Sequence, residues 1–460
     1  MDVGGKMKTY QDSLNQIPVE FVKSAITDYK TSKMYKWAYE GEEYAKQKNT
    51  TIMKYRKYLY TLSGKAVPDN YSANYKTASN FYNRFCTQLN QYLLRNGVTF
   101  QDDATKKKLG GNKFDRALTK IGKYALVGGV AFGFFNMDHV DVFKATEFVP
   151  LFDEETGALR AGIKFWQIAD NKPLRATYFE EDGYTDYIWQ NGKDGAILRE
   201  KTPYMKIVRQ NFDGIEIIEG QNYPNFPIVP LWANEFHESE LVGLQTEIDA
   251  YDLIKSGFAN DLDDIQQIYW IIKNAGGMGE EDLARFVERL KTLKAVQLDD
   301  GIEADSHTVE IPYQARETYL DRLENDMYKD AMIVNMNAIA NGNVTATAIN
   351  ASYEPQDDKT DEFEDCIDDF IYGLLELLGI NDTPSFTRSR VVNQSEETQM
   401  ILASAQYLDD ETIIRKLPFI TADEVDDILK KKGLEEYDRF GEEENGQATE
   451  NNGIENPEDL

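Results

Sequence analysis

Carboxylates dominate the reactive side chains of this sequence, and they cluster. "NDLDD" (Asn260–Asp264), "PQDDKTDEFEDCIDD" (Pro355–Asp369) and "EEEN" (Glu442–Asn445) are the densest groups. Paired carboxylates are hard oxygen ligands, so such runs could bind a divalent cation and serve a metal-dependent nuclease. The spacing and glycine of an EF-hand loop are missing, however, and no histidine stands near the runs. Acidic helix faces are commonly just solvated. The three histidines, His139, His237 and His307, fall in separate segments, and His237-Glu238 lacks the second histidine of a zincin helix. The chain has no phosphate-cradling G-x-x-x-x-G-K-[ST] loop, and Gly128, Gly129 and Gly133 do not make G-x-G-x-x-G. A G-x-S-x-G nucleophile elbow is missing too. Cys86 and Cys366 stand far apart in no ligand spacing and read as reduced, packed thiols. The expectation is a protein that is not an enzyme, with no catalytic residue, no metal and no cofactor.

Composition narrows the class further. The 460 residues predict several modules, and 41% hydrophobic content supports a real core. The formal net charge is −30. Proteins that grip DNA through its phosphates do so with Lys and Arg and are normally basic. An acidic chain can still enclose DNA without gripping it. The N-terminal stretch lacks the apolar run of a signal peptide, and the longest apolar run, Tyr124–Phe135, is shorter than the roughly 20 residues a bilayer requires. No membrane association is expected.

The elements that must position these side chains alternate in type. Residues 1–100 read as helices rich in Lys and Tyr; in one of them Phe81, Phe85, Leu89, Leu93 and Leu94 share a face, and Asn96-Gly97 is a stop signal. From about 139 to 235 the period becomes that of strands, with Asn191-Gly192, Asp194-Gly195 and Asp213-Gly214 as hairpin turns. The Pro-broken stretch Tyr223–Asn234 is expected to end this antiparallel region. A long helix follows, from about Glu240 to Gln266, with a narrow apolar stripe at Tyr251, Ile254, Phe258, Leu262 and Ile265. Its opposite face carries Asp249, Asp252, Ser256, Asn260 and Asp263. Strand, helix and two further strands make a small α/β insertion ending at Pro312. A second long helix then runs through Leu320, Leu323, Met327, Ala331, Val334 and Ala338. The two helices form a hairpin with a compact module at its tip. Asn341 and Gly342 break the second helix, and Phe363 to Leu378 return to helical spacing. The last residues are acidic and read as a disordered tail.

At this point the chain resembles the portal proteins of tailed bacteriophages, the siphophage Gp6-like family. "EIDAYDLIKSGFANDLDDIQQIYWIIKN" is similar to the family's stem helix and first clip strand. "WAYEGEEYAKQKNTTI" resembles its N-terminal Tyr-x-Gly segment. "NQYLLRNGVTF" is similar to a Tyr-Leu-Leu-Gly-x-Pro-Val element, with Arg95-Asn96-Gly97 in place of Gly-x-Pro. "EFVPLFDEETGALRAGIKFW" resembles its Pro-x-x-Asp strand region, and "FTRSRVVNQSEETQ" with "DDETIIRKLPFI" its last wing strand and crown helices. The ordered series spans about Asp28 to Lys432.

The resemblance implies an α+β portal fold. Its parts would be a mixed wing (1–238 and 353–392), stem helices (239–266 and 313–339), a small α/β clip (267–312), a tunnel loop (340–352), a helical crown (393–437) and an acidic tail (438–460). It implies a ring of twelve subunits at a capsid vertex, assembled in the host cytoplasm and retained in the virion. Double-stranded DNA would pass through it without sequence-specific contact. The implied partners are the large terminase, a head–tail adaptor, and the major capsid and scaffolding proteins. Asn343, Val344, Thr345, Ala346, Thr347 and Ala348 occupy the position of the tunnel loop, small and uncharged as a sliding contact requires. The polar face of the first stem helix, Asp249, Asp252, Ser256, Asn260 and Asp263, would line the tunnel. Lys273, Arg285, Arg289, Lys291 and Lys294 form the most basic local set and would meet terminase or adaptor. The competing readings are the metal-dependent nuclease and a monomeric structural adaptor.

Overall fold

The computed structural model describes residues 7–14, 18–60, 64–69, 72–190, 194–211, 214–264, 269–273, 279, 281, 303–307, 313–340, 346–390, 394–417, 425 and 428–431. The chain divides into two units, residues 1–336 with 353–389, and residues 337–352 with 390–460. The fold is mixed α+β. Its helices are α1 (Tyr10–Leu14), α2 (Pro18–Tyr29), α3 (Lys33–Ala45), α4 (Thr50–Lys54), α5 (Phe81–Leu94), α6 (Asp103–Leu109), α7 (Asn112–Gly128), α8 (Leu241–Asp264), α9 (Tyr313–Asp330), α10 (Met336–Ala340), α11 (Ala346–Leu378), α12 (Gln394–Ala403) and α13 (Asp410–Lys416). The strands are β1 (Tyr58–Tyr60), β2 (Ala66–Pro68), β3 (Val98–Phe100), β4 (Val130–Asn136), β5 (His139–Lys144), β6 (Phe148–Phe152), β7 (Leu159–Trp166), β8 (Leu174–Glu180), β9 (Gly183–Trp189), β10 (Ala196–Thr202), β11 (Met205–Asn211), β12 (Gly214–Gln221), β13 (Ile228–Trp232), β14 (Tyr269–Lys273), β15 (Glu303–His307) and β16 (Pro384–Phe386).

In the first unit an antiparallel sheet of order β10-β9-β8-β7-β6 turns one face to α2. Strand alternation sends Ala161, Ile163, Phe165, Ala176 and Tyr178 to that face, where they meet Phe21, Val22, Ala25, Ile26 and Tyr29. The largest core joins α5, α7, α8, α9 and α11; Phe81, Phe85, Leu89, Leu93 and Leu94 are all buried in it, as their spacing predicts. Helix α7 passes into β4 through Gly129, whose φ of +86° favours glycine. A side chain there would strike the backbone of Glu238 and Ser239, just before α8 begins.

Several expectations are corrected. The segment holding Pro230 ends the sheet region as its last strand rather than as a break. It returns as β13 and pairs with β4 at one edge of a three-stranded sheet, β13-β4-β5, where the missing proline N–H interrupts no interior ladder. The second long helix stops at Asp330 rather than near residue 339. Met332 adopts a φ of +54°, and the Ile333 N–H turns back to the Tyr328 carbonyl at 3.0 Å. Gln356 then accepts from the Val334 N–H at 3.0 Å, and Ile333 and Val334 are buried. Apolar spacing survives past Asp330, but those residues enter the core as a turn. Helix α11 begins at Ala346 and runs through Pro355, so the expected loop at 340–352 is helical from Ala346 onward. In the insertion β14 pairs antiparallel with β15. The predicted insertion helix lies outside the described residues.

In the second unit α12 leads through a single 3₁₀ turn to α13. The Asp409 side chain caps α13 by accepting the Thr412 N–H at 3.0 Å, satisfying a donor the helix cannot. Among the described residues no helix is long and apolar enough to cross a membrane.

Candidate functional site

Helix α8 carries five of the residues expected to work. Its buried positions recur every three or four residues: Leu241, Leu244, Ile248, Asp252, Ser256 and Asn260. The first three are apolar and enter the largest core. The last three are polar and are as thoroughly buried: Asp252 is 0% exposed, Ser256 2% and Asn260 3%.

These three side chains hold an extended stretch of the same chain. The Ser79 N–H donates to the Asp252 carboxylate at 2.8 Å, the Thr77 N–H to the Ser256 hydroxyl at 2.9 Å, and the Tyr75 N–H to the Asn260 side-chain carbonyl at 2.6 Å. Four residues of helix advance roughly 6 Å and two residues of extended chain roughly 6.7 Å. An i, i+4 ladder of acceptors therefore meets alternate N–H groups of a strand running the other way. Asp252 also accepts the Asn49 amide. Burial pushes the Asp252 carboxyl above the usual carboxylate range, although the donors from Asn49 and Ser79 oppose that shift.

This overturns the expectation that Asp252, Ser256 and Asn260 present a polar face to a tunnel. Asp249, one turn earlier, is half-buried and accepts the Tyr44 hydroxyl at 2.5 Å. Asp263 keeps the helical backbone; its side chain lies outside the described residues. Solvent meets Leu253 and Leu262, which are 44% and 53% exposed, together with Lys255. Ile254 and Phe258 are half-buried. Part of the apolar stripe read from the sequence thus faces outward.

Helix α9 closes the pair. Leu323 and Met327 are buried, the rings of Phe85 and Tyr328 meet edge-on at 5.0 Å, and Arg84 donates to the Tyr328 hydroxyl at 2.6 Å. Glu247 of α8 approaches Asp330 of α9, and burial with that like charge raises the Glu247 carboxyl.

The acidic run 355–369 is structural where it is inward. Asp357, Asp361 and Glu364 lie on one face of α11 and grip Arg388, with Arg388 N–H groups 3.0 Å from Asp357 and Glu364. Tyr92 donates to Asp357 at 2.6 Å. Lys359 pairs with Glu240, both side chains mostly buried. Asp368 has its carboxyl pushed up to about 6 by burial and by Glu364, Asp365 and Asp369. In the run 260–264, Asp261 pairs with Arg316. Among the described residues no three His, Cys, Asp or Glu side chains converge as metal ligands. His237 stacks on Trp232 with ring centroids 3.8 Å apart, and His139 meets Asp138 at 2.7 Å. Both cysteines are free, and burial pushes Cys86 up to about 12.

Of the tunnel-loop residues, Ala346, Thr347 and Ala348 form the first turn of α11, with Ala348 exposed; Asn343, Val344 and Thr345 lie outside the described residues. Lys273 ends β14 opposite Glu303. Arg285, Arg289, Lys291 and Lys294 lie outside the described residues. The Arg388 clamp was missed in the sequence. Carboxylates at 357, 361 and 364 have the spacing of one helix face, but nothing local names the cation that fills it.

The geometry is that of a long-helix scaffold, and comparison places it. The family model for phage portal proteins of the SPP1 Gp6-like type matches residues 25–447, and the chain belongs to that family. It is 30% identical to a portal protein of Clostridium phage phiCD119 over 221 residues, 45% of this chain and 48% of the relative, so that match spans about half the relative's length. It is 25% identical to a portal protein of Bacillus phage SPP1 across 90% of this chain and 88% of the other. A chain in the neck of an empty gene transfer agent particle is similar over 75% of this chain and 91% of its own, at 13% identity and a TM-score of 0.42. A chain of the native gene transfer agent virion is similar over 74% and 90%, at 11% identity and 0.42.

Proposed function

We propose that this chain is the subunit of a twelve-membered ring at one vertex of a phage capsid, enclosing the channel through which double-stranded DNA is packaged and ejected. The match of the portal family to residues 25–447 carries this reading. In it, residues 1–238 and 353–392 form the wing, 239–266 and 313–339 the stem, 267–312 the clip, 393–437 the crown and 438–460 the acidic tail. The second stem helix ends at Asp330. The ring is assembled in the host cytoplasm, beside the major capsid and scaffolding proteins, and stays in the virion.

The subunit is not an enzyme; the large terminase supplies the motor. Lys273, Arg285, Arg289, Lys291 and Lys294 offer the clip a cationic surface for terminase and then for a head–tail adaptor. A net charge of −30 per chain repels DNA phosphates, which favours sliding over sticking. With Asp252, Ser256 and Asn260 engaged inside the subunit, the sliding contact falls to Asn343–Ala348. The outward apolar positions Leu253 and Leu262 pack against the next copy.

Native mass spectrometry and negative-stain imaging of the purified chain test the ring. The expected particle holds about twelve copies of the 52.7 kDa chain around a central hole. A monomer that cleaves DNA when a divalent metal is added would overturn the reading. Replacing Thr345 and Thr347 by Asp is expected to leave assembly intact and reduce packaged DNA; unchanged packaging would remove the loop from the channel wall.

A further inference from the structure

Helix α7 carries a cationic ridge that its own chain leaves unanswered. Residues 104–124 hold seven Lys and Arg but one carboxylate, Asp115. Asp115 is already engaged, since it pairs with Lys106 at 2.8 Å and accepts the Val98 N–H at 3.2 Å. Lys123 is tied to Asn83 and Thr87 at 2.9 and 3.0 Å. That leaves Lys113, Arg116 and Lys120 exposed on one face of α7, with Lys107 and Lys108 exposed at the end of α6. A tight turn joins the two groups, in which the Gly111 N–H donates to the Lys106 carbonyl at 2.8 Å. None of the five pairs with a carboxylate among the described residues. Lys113 comes near Asp138, but that carboxylate is bonded to His139 at 2.7 Å. Local energetics oppose the ridge. Lys113 stands in the first turn, where the helix dipole favours anions, and cations three and four positions apart repel each other.

Helix α11 carries the converse. Glu354, Asp358, Asp365 and Asp369 are exposed along one of its faces, over roughly 22 Å. None of the four pairs with a cation among the described residues. Asp361, which lies between them, already holds Arg388. The other faces of both helices enter the same core, through Phe114, Leu118 and Ile121 of α7 and Phe363, Ile367 and Phe370 of α11. The charged faces stand outward from that core and do not meet within one chain.

We propose that the α6–α7 ridge of one copy of this chain docks on the acidic face of α11 in the next, with Lys113, Arg116 and Lys120 lying along Asp358, Asp365 and Asp369. The contact rests on the ring reading and deepens it. A closed ring repeats one contact between two different surfaces of every subunit, and here both surfaces are present on one chain. Copies that each carry a net charge of −30 repel one another unless opposite charges meet where they touch.

Charge swapping in the full-length chain tests it, read by native mass spectrometry and sedimentation velocity. One variant reverses the ridge (Lys113→Glu, Arg116→Glu, Lys120→Glu) and a second reverses the acidic face (Asp358→Lys, Asp365→Lys, Asp369→Lys). Each alone is expected to associate about tenfold more weakly than the parent, or worse. Mixing the two should restore association, because each then offers the charge the other lacks. Combining all six changes in one chain should restore it too. The milder set Asp358→Asn, Asp365→Asn, Asp369→Asn, with unchanged circular dichroism, separates loss of the contact from loss of the fold and should also weaken association. Variants that assemble as the parent does would overturn the proposal and leave the ring standing. Swap-dependent dimers or open chains in place of a ring would uphold the contact and overturn the ring. A parent that stays monomeric would remove both. Folded variants that fail to recover on mixing would overturn the contact, and duplex DNA retained by the parent but not by the ridge variant would then assign the ridge to phosphate.

Discussion

The two halves of α8 bury the same face in opposite ways. In the first half Leu241, Leu244 and Ile248 meet helices whose backbone groups are already paired, so only apolar contact is useful. In the second half Asp252, Ser256 and Asn260 meet residues 75–79, an extended stretch whose N–H groups have no sheet to join. Burying a bare N–H is expensive, so the helix supplies acceptors instead of methyl groups. Burial of a helix face therefore does not by itself call for apolar residues. The state of the partner backbone decides.

Breaking the apolar half should have the largest effect. Ile248→Ala is expected to cost about 3 kcal/mol of global stability, read from the denaturant midpoint. A loss below about 1 kcal/mol would mean that the site collapses easily and the contrast is weaker than drawn. Asp252→Ala should cost about 2 kcal/mol, since it strands the Ser79 N–H and the Asn49 amide. Its signature is faster amide exchange at Ser79 before global unfolding. Asp252→Leu sharpens the comparison: if the second half wanted apolar bulk it would be tolerated, and we expect it to be as harmful as alanine. Ser256→Ala should cost about 1 kcal/mol, with faster exchange confined to the Thr77 amide.

The smallest effect is that of pH. The Glu247 carboxyl is raised in the folded state, so it binds its proton more tightly folded than unfolded. That stabilisation is fully present below the unfolded pKa and is lost as pH rises through the folded one. Thermal melts at pH 5 and pH 7.5 should therefore show Glu247→Gln gaining on the parent chain at the higher pH. Equal differences at both values would remove Glu247 from the α8–α9 contact.

Legibility in the sequence followed the range of the interaction. The apolar face of α5 could be read because helical spacing is local, and the antiparallel region could be read from its alternation. The second long helix was read too far. Ala331 and Val334 keep the spacing, but a left-handed Met332 and the distant Gln356 turn the chain. The spacing of Asp252, Ser256 and Asn260 was also visible, and it was assigned to a tunnel wall. Arg388 and its three carboxylates are 24 to 31 positions apart, beyond any local pattern.

By itself the sequence determined that long helices stand near Leu241–Asp264 and Tyr313–Asp330, that strands fill much of residues 139–235, and that the chain is strongly acidic. These follow from periodicity and composition, which are properties of neighbours along the chain. Only the tertiary structure decided which polar residues meet solvent. A polar side chain demands a hydrogen-bond partner, but its identity does not say whether that partner is water or, as for Asp252, a peptide N–H from 173 positions away.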